Sequence, residues 1–218
     1  MERLEYLASL TKGLDSVVDC GCDHAYTLIK AIKNYGVKKG LGLDINDGPL
    51  EAAKKNVLEN NLNDSIEIVK SDGLTNYTKD YEGLIISGMG GSLIEEILDY
   101  DVDTTRTFKR LILSPHNDTY KVRFWLINNN FRIVDEQMIE DQNHIYEVIV
   151  ATNEPLNRKY DYFDLRFGPI LRVKKGDLFK KKYQAQLAQV IVALETATDK
   201  TQIARLQMTR AMLEDMLK

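Results

Sequence analysis

Residues 16–26, Ser-Val-Val-Asp-Cys-Gly-Cys-Asp-His-Ala-Tyr, constrain this chain more than any other stretch. Val17 and Val18 supply a β-branched apolar pair for a short buried strand. Gly21 stands where the chain must reverse, and glycine turns there without steric cost. Asp19, Asp23 and His24 crowd polar chemistry around the turn, and a helix begins directly after it. In an open α/β sheet, ligands bind outside the carboxyl ends of the strands, at the switch point beside the first one. This loop is the expected seat of a nucleoside cofactor.

The strand–helix pattern then repeats. A short amphipathic lead-in, 2–11, carries Leu4, Leu7 and Leu10 at three-residue steps. Strands are predicted at 16–20, 40–45, 66–70, 83–87 and 110–113, and helices at 25–34, 49–61, 92–98 and 119–129. Gly36 stops the first of these helices, and Pro49 suits the first turn of the next. Ser92 with Glu95 reads as a capping box for the third. The run 83–87 is near-continuously apolar, as a strand buried on both faces is. Two strands without a helix between them, 131–139 and 145–151, follow, joined by the turn Asp141-Gln-Asn-His144.

After Pro155 the composition changes, so two domains are expected, 1–154 and 155–218. Gly168-Pro169 breaks a first helix, and Asp177 is read as the cap of a second. Leu187, Val190, Ile191 and Leu194 then fall at helical spacing, and Asp199 with Gln202 restarts a helix bearing Ile203, Leu206, Leu213 and Leu217. This reads as a coiled-coil-like helical hairpin, and a monomer is expected because the hairpin can bury its own stripe. Residues 1–150 hold 16 Lys+Arg against 25 Asp+Glu, whereas 151–218 hold 13 against 8. A basic appendage on an acidic body points to a polyanion.

Other classes are excluded. No apolar run approaches the ~20 residues of a membrane span, and the acidic start Met-Glu-Arg-Leu-Glu lacks the regions of a signal peptide; a cytoplasmic protein is expected. Cys20 and Cys22, with one residue between them, are a poor disulfide pair. No second ligand cluster accompanies them, and His116 and His144 stand alone, so no metal is expected.

Dinucleotide enzymes need Gly-x-Gly-x-x-Gly to bring backbone up to a pyrophosphate. Here the first loop has a single glycine and offers carboxylates, which repel phosphate and suit a cationic ligand. S-adenosylmethionine, with its sulfonium, ammonium, ribose and adenine, is that ligand. Asp44 lies 23 residues after Gly21, the spacing at which a carboxylate meets ribose hydroxyls. The terminal hairpin matches the seven-strand methyltransferase sheet. The fold class is therefore α/β: a Rossmann-like class I methyltransferase sheet of seven strands with the last pair antiparallel, plus the C-terminal helical hairpin. Amine-directed base methyltransferases place Asn/Asp-Pro-Pro-Tyr/Phe after strand four. Ser87-Gly-Met-Gly-Gly91 stands here instead and favours a ring nitrogen, whose lone pair needs positioning rather than deprotonation.

Asp19-x-Gly21-x-Asp23-His24-Ala25-Tyr26, Gly42-x-Asp44, Ser71-Asp72-Gly73-Leu74, Gly88-Met-Gly-Gly91 and the helical tail resemble the bacterial tRNA (adenine-N1)-methyltransferases of the TrmK family, over nearly the whole chain. Cys20 and Cys22 stand where that family more often shows an aliphatic and a small hydroxyl residue, and Thr27-Leu28 where it tends to have Leu-Pro; both read as packing changes. The resemblance implies methylation of adenosine 22 in tRNA, with the base turned out of its stack. Asp19, Cys20, Gly21, Asp23, His24, Asp44, Ile45, Asp72, Gly73 and the loop Gly88, Met89, Gly90 and Gly91 are then expected to hold the cofactor. Asp23, His24 and Tyr26 are the catalytic candidates, Tyr26 stacking on the adenine and Asp23 stabilising its charge; His24 serves either chemistry or the loop. Ser114, Pro115, His116 and Asn117, with Lys174, Lys175, Lys180, Lys181 and Lys182 on phosphates, are the substrate-binding candidates. Two rival readings are a small-molecule methyltransferase on the same fold and a non-catalytic RNA-binding module.

Overall fold

A computed structural model describes residues 2–77, 81–156 and 158–218. The order is α1 (Arg3–Ser9), β1 (Ser16–Cys20), α2 (Tyr26–Tyr35), β2 (Lys39–Asp44), α3 (Asp47–Glu59), β3 (Ile66–Lys70), β4 (Gly83–Ser87), α4 (Gly91–Asp99), α5 (Val102–Thr105), β5 (Arg110–Ser114), α6 (Thr119–Asn128), β6 (Arg132–Asp141) and β7 (His144–Thr152). Then come α7 (Tyr162–Phe167), α8 (Leu171–Lys174), α9 (Asp177–Thr196) and α10 (Lys200–Leu217). The seven strands form one sheet in the order β3-β2-β1-β4-β5-β7-β6. β1 to β5 pair in parallel, and β7 inserts antiparallel between β5 and β6. Gln142 and Asn143, both at positive φ, turn the β6–β7 hairpin. The order reverses between β1 and β4, which opens the ligand crevice above β1.

The period of two along the strands splits the core into two layers. Val18, Leu84 and Ile86 face α4 and α6 with Ile94, Trp125 and Leu126. Val17, Ile85 and Ile112 face α1, α2 and α3 with Leu7, Leu28 and Ala53. A third cluster, Phe167, Leu171, Phe179, Tyr183, Val190, Leu213 and Met216, closes around Met138 of β6 and seats the C-terminal helices on the sheet edge. No helix among the described residues is long and apolar enough to cross a membrane.

Two caps differ from expectation. Gly90, not Ser92, is the N-cap of α4, and the Ser92 hydroxyl instead accepts from Lys121 Nζ at 2.7 Å. Gly176 caps α9, so Asp177 is its first helical residue. Asp199 does cap α10, accepting from the Gln202 N–H at 2.7 Å. Ile191 lies on the outer side of the hairpin rather than in its stripe.

Candidate active site

The β1–α2 loop is strained by its own sequence. Gly21, Asp23 and Ala25 have φ of 79°, 47° and 59°. Non-glycine residues pay for that region, and such strain gathers at functional loops. The Gly21 and Cys22 N–H groups both donate to Leu43 O, at 2.7 and 2.9 Å, which folds the loop back onto the end of β2. A side chain at Gly21 would collide with the Met89 methyl group, so glycine lets the Gly88–Gly91 loop lie against it.

Above these strand ends lies a cavity of about 570 Å³. Asp19, Cys20, Gly21, Asp23, His24, Tyr26, Asp44, Ile45, Asp72, Gly73, Gly88 and Met89 all line it, together with Arg3, Cys22, Leu93 and Ile97. Asp44 Oδ2 accepts from the Asp23 N–H at 3.2 Å and Oδ1 from the Asn46 N–H at 3.0 Å. A carboxylate so held keeps lone pairs for a ligand. Ser71 braces the β3 exit: its hydroxyl donates to Gly73 O at 2.9 Å and accepts from the Asn76 N–H at 3.1 Å.

Asp19 is 2% exposed, and its Oδ1 has no hydrogen-bond partner. Burial pushes its carboxyl up to about 7, with Asp44 and Asp23 adding to the rise and Arg3 opposing it. Arg3 Nε and Nη1 are likewise buried without partners, and its guanidinium lies 4.7 Å from the centre of the Tyr146 ring. His24 Nε2 stands 3.5 Å from Asp23 Oδ1, and the His24 ring stacks on Tyr26 at 5.6 Å. Asn56 Nδ2 donates to His24 O at 3.0 Å, tying the loop to α3. Among the described residues, no group of three or more metal-ligating side chains converges.

Other expected site residues lie elsewhere. Gly90 packs on Asn117, and a Cβ at Gly91 would strike the Asp118 carbonyl; both glycines serve the close approach of α4 to the β5–α6 loop and do not line the cavity. Ser114 is fully buried, its hydroxyl unpartnered. Pro115, His116 and Asn117 open into a separate hollow, with Lys182. The lysine cluster is not free as a block. Lys174 pairs with Asp135 at 3.2 Å, Lys181 with Glu140 at 2.5 Å and Lys182 with Glu147 at 2.6 Å. Lys175 and Lys180 make no ion pair among the described residues. Sequence reasoning missed Arg3, Leu93 and Ile97. Arg3 belongs to no motif and reaches the cavity only because α1 lies across the sheet.

Comparison with known proteins agrees with this geometry. The family profile for tRNA (adenine(22)-N(1))-methyltransferase, TrmK, matches residues 17–217. The tRNA (adenine(22)-N(1))-methyltransferase of Bacillus subtilis is 30% identical over 228 residues, covering 99% of this chain and 96% of that one. The crystal structure of the B. subtilis m1A22 tRNA methyltransferase TrmK superposes with a TM-score of 0.89 at 29% identity, over 99% of this chain and 97% of the other. A Streptococcus pneumoniae protein solved in complex with S-adenosyl-L-methionine gives a TM-score of 0.91 at 29% identity, over 100% of both chains. The profile spans nearly the whole chain and the B. subtilis relative matches it almost end to end, so the chain belongs to the TrmK family of S-adenosylmethionine-dependent tRNA (adenine(22)-N(1))-methyltransferases.

Proposed function

We propose that the first cavity holds S-adenosylmethionine and receives adenine 22 of tRNA, and that the groups gathered there carry the transfer to N1. The observation that carries this reading is the convergence of Asp19, Asp44 and Asp72 on one cavity with Tyr26 on its rim. Asp44 has lone pairs for the paired hydroxyls of a ribose, and Asp72, in the loop just after the next strand, suits the edge of the cofactor's base. The orphaned Asp19 oxygen suits an ammonium and the two unpartnered Arg3 nitrogens a carboxylate; an amino-acid group carries both. When bound, the cofactor supplies a methyl group activated by a sulfonium.

Tyr26 is 47% exposed and offers a ring face to a base turned out of its stack. Asp23 lies beside it through His24 and stabilises the positive charge that develops on the adenine. His24 orients this pair rather than acting as a base, because N1 already carries a free lone pair. Gly88 and Met89 wall the cavity between cofactor and base. Residues 155–218 form the tRNA-contacting unit, with Lys175 and Lys180 on phosphates. The hairpin buries Val190, Leu213 and Met216 against its own chain, which suits a monomer working among cytoplasmic tRNAs.

The test is a transfer assay with labelled S-adenosylmethionine and unmodified tRNA, the product nucleosides resolved by mass spectrometry. The expected product is 1-methyladenosine at position 22; methylation at another atom, or none, overturns the reading.

A further inference from the structure

A second hollow, of about 550 Å³, opens on the far side of the Gly88–Gly91 loop. Four segments build it: the β5–α6 loop with the start of α6, the β6–β7 turn running into β7, Arg166 of α7, and one face of α9 from Lys182 to Gln189. The His116 and His144 rings stack with centroids 4.6 Å apart and planes 5° apart. Tyr146 stands edge-on to both, at 5.8 and 4.4 Å, and Arg3 covers the Tyr146 ring. A row of rings thus joins Arg3, which lines the first cavity, to the His116–His144 pair, which lines the second. The His116 N–H donates to Met89 O at 2.7 Å, which fixes that row directly behind the loop facing the first cavity.

The charges lining the hollow balance, Lys182 and Arg166 against Glu147 and Asp118, but one of the two cations is unpaired among the described residues. Glu147 on its floor is already held by Arg123 and Lys182. Asp118 lies on its wall, beside the start of α6. Arg166 lines the hollow and makes no ion pair among the described residues. A ring stack beside a guanidinium with no paired carboxylate is the chemistry that takes a nucleotide: stacking holds the base and the cation holds the phosphate. Extruding one base also unstacks its neighbours, which then need another face.

We infer that this hollow seats a nucleotide neighbouring the methylated one, its base on the His116–His144 stack and its phosphate on Arg166. The inference rests on the tRNA reading of the first cavity. Filter binding of unmodified tRNA in rising salt tests it. Arg166→Gln is expected to weaken tRNA about tenfold and to lower the slope of log affinity against log salt by about one, with partial rescue in Arg166→Lys. His116→Ala is expected to weaken tRNA about tenfold, and His116→Phe to restore it. Affinity for S-adenosylmethionine stays at the wild-type value in each variant. Gln189→Glu, at an exposed position where α9 lines the hollow, adds a repelling charge without touching the core, and is also expected to weaken tRNA. Wild-type tRNA affinity and salt slope in Arg166→Gln and Gln189→Glu overturn the inference. Wild-type protein that makes no 1-methyladenosine sinks the reading of the first cavity instead, so the two failures are distinct.

Discussion

Arg123 and Glu136 meet at 2.7 Å, Nε to Oε1, with neither side chain open to solvent. Arg123 also reaches Glu147 at 2.5 Å through Nη2 and Leu165 O at 3.2 Å through Nη1. Glu136 Oε2 accepts the Ile170 N–H at 2.8 Å, and Glu147 Oε1 accepts from Lys182 Nζ and from the Tyr183 hydroxyl. One desolvated network therefore joins α6, β6 and β7 of the sheet to α7, α8 and α9. Burial alone pushes the Glu147 carboxyl up, but Arg123 and Lys182 hold it well below the usual carboxylate range. Buried charges add little net stability but fix geometry when every partner is satisfied. Here they set how the helical unit faces the site.

Removing the central cation therefore leaves Glu136 buried without a counter-charge and Glu147 with Lys182 as its one cation among the described residues. Arg123→Ala is expected to cost about 3–5 kcal/mol, read as a lower urea midpoint. A loss under about 1 kcal/mol would mean that the network is wetter or looser than its geometry implies.

Gly91 separates structural glycine from ligand-binding glycine. Its N–H donates to Asn117 O at 3.1 Å, and an added methyl would meet the Asp118 carbonyl. Gly91→Ala is expected to cost about 1–3 kcal/mol through overpacking, which lowers Tm by about 2–4 °C per kcal/mol in a chain of this size. Affinity for S-adenosylmethionine, measured calorimetrically below Tm, is expected to be unchanged. A selective loss of cofactor affinity with unchanged Tm would put Gly91 back into the binding site.

Strands β1, β3 and β4 were legible to the residue, because a short β-branched run ending in glycine or a polar turn has few other ways to fold. The capping signals at Ser92 and Asp177 misled because a glycine one or two residues earlier already ended the extended chain. The helices α5 and α8 span four residues each, too short for periodicity to reveal. Within the site, the acidic strand ends announced the cavity, but Arg3 needed the tertiary fold. The ion pairs of the basic tail were not legible for a similar reason: the carboxylates that pair with Lys174, Lys181 and Lys182 lie 35 to 41 residues away in β6 and β7. No local pattern encodes that pairing.

The proposed contact between Asp19 and the cofactor's ammonium ties binding to pH. Its carboxyl titrates at about 7 against an ordinary 3.8, so between those values the folded apoprotein holds a proton that the unfolded chain does not. The burial penalty on stability is absent below the ordinary value, grows through this window and is complete above 7. The proposed ammonium contact needs the carboxylate form, so below 7 binding must also expel the proton. Affinity for S-adenosylmethionine is expected to rise as pH goes from 6 to 8 and then level off, with the rise abolished in Asp19→Asn. A flat wild-type profile would remove Asp19 from contact with the ammonium.

The two cysteines are expected to be inert in the folded chain. Burial pushes the Cys20 thiol up to about 12, with Asp19 adding to it, and the Cys22 thiol higher still. Thiolate is the reactive form. Iodoacetamide at pH 8 is expected to leave both unmodified in native protein and to alkylate both in denaturant, counted by intact mass. Rapid native labelling of Cys22, which lines the cavity, would show that the β1–α2 loop opens.

Neighbouring lysines in α9 are expected to behave differently. Lys180 makes no ion pair among the described residues, whereas Lys181 is held by Glu140 at 2.5 Å. A free lysine on a phosphate displaces a counterion; a paired one must first leave its carboxylate. Lys180→Glu is expected to weaken tRNA several-fold and to flatten the salt dependence by about one in slope. Lys181→Gln, which removes the paired charge without reversing it, is expected to change the slope by less than half that amount. Exposed pairs of this kind are worth at most about 1 kcal/mol, so neither variant unfolds the chain and both can be compared in one filter-binding series. Equal slopes for the two variants would mean that RNA binding breaks the Lys181–Glu140 pair, and that the whole basic cluster turns toward the substrate.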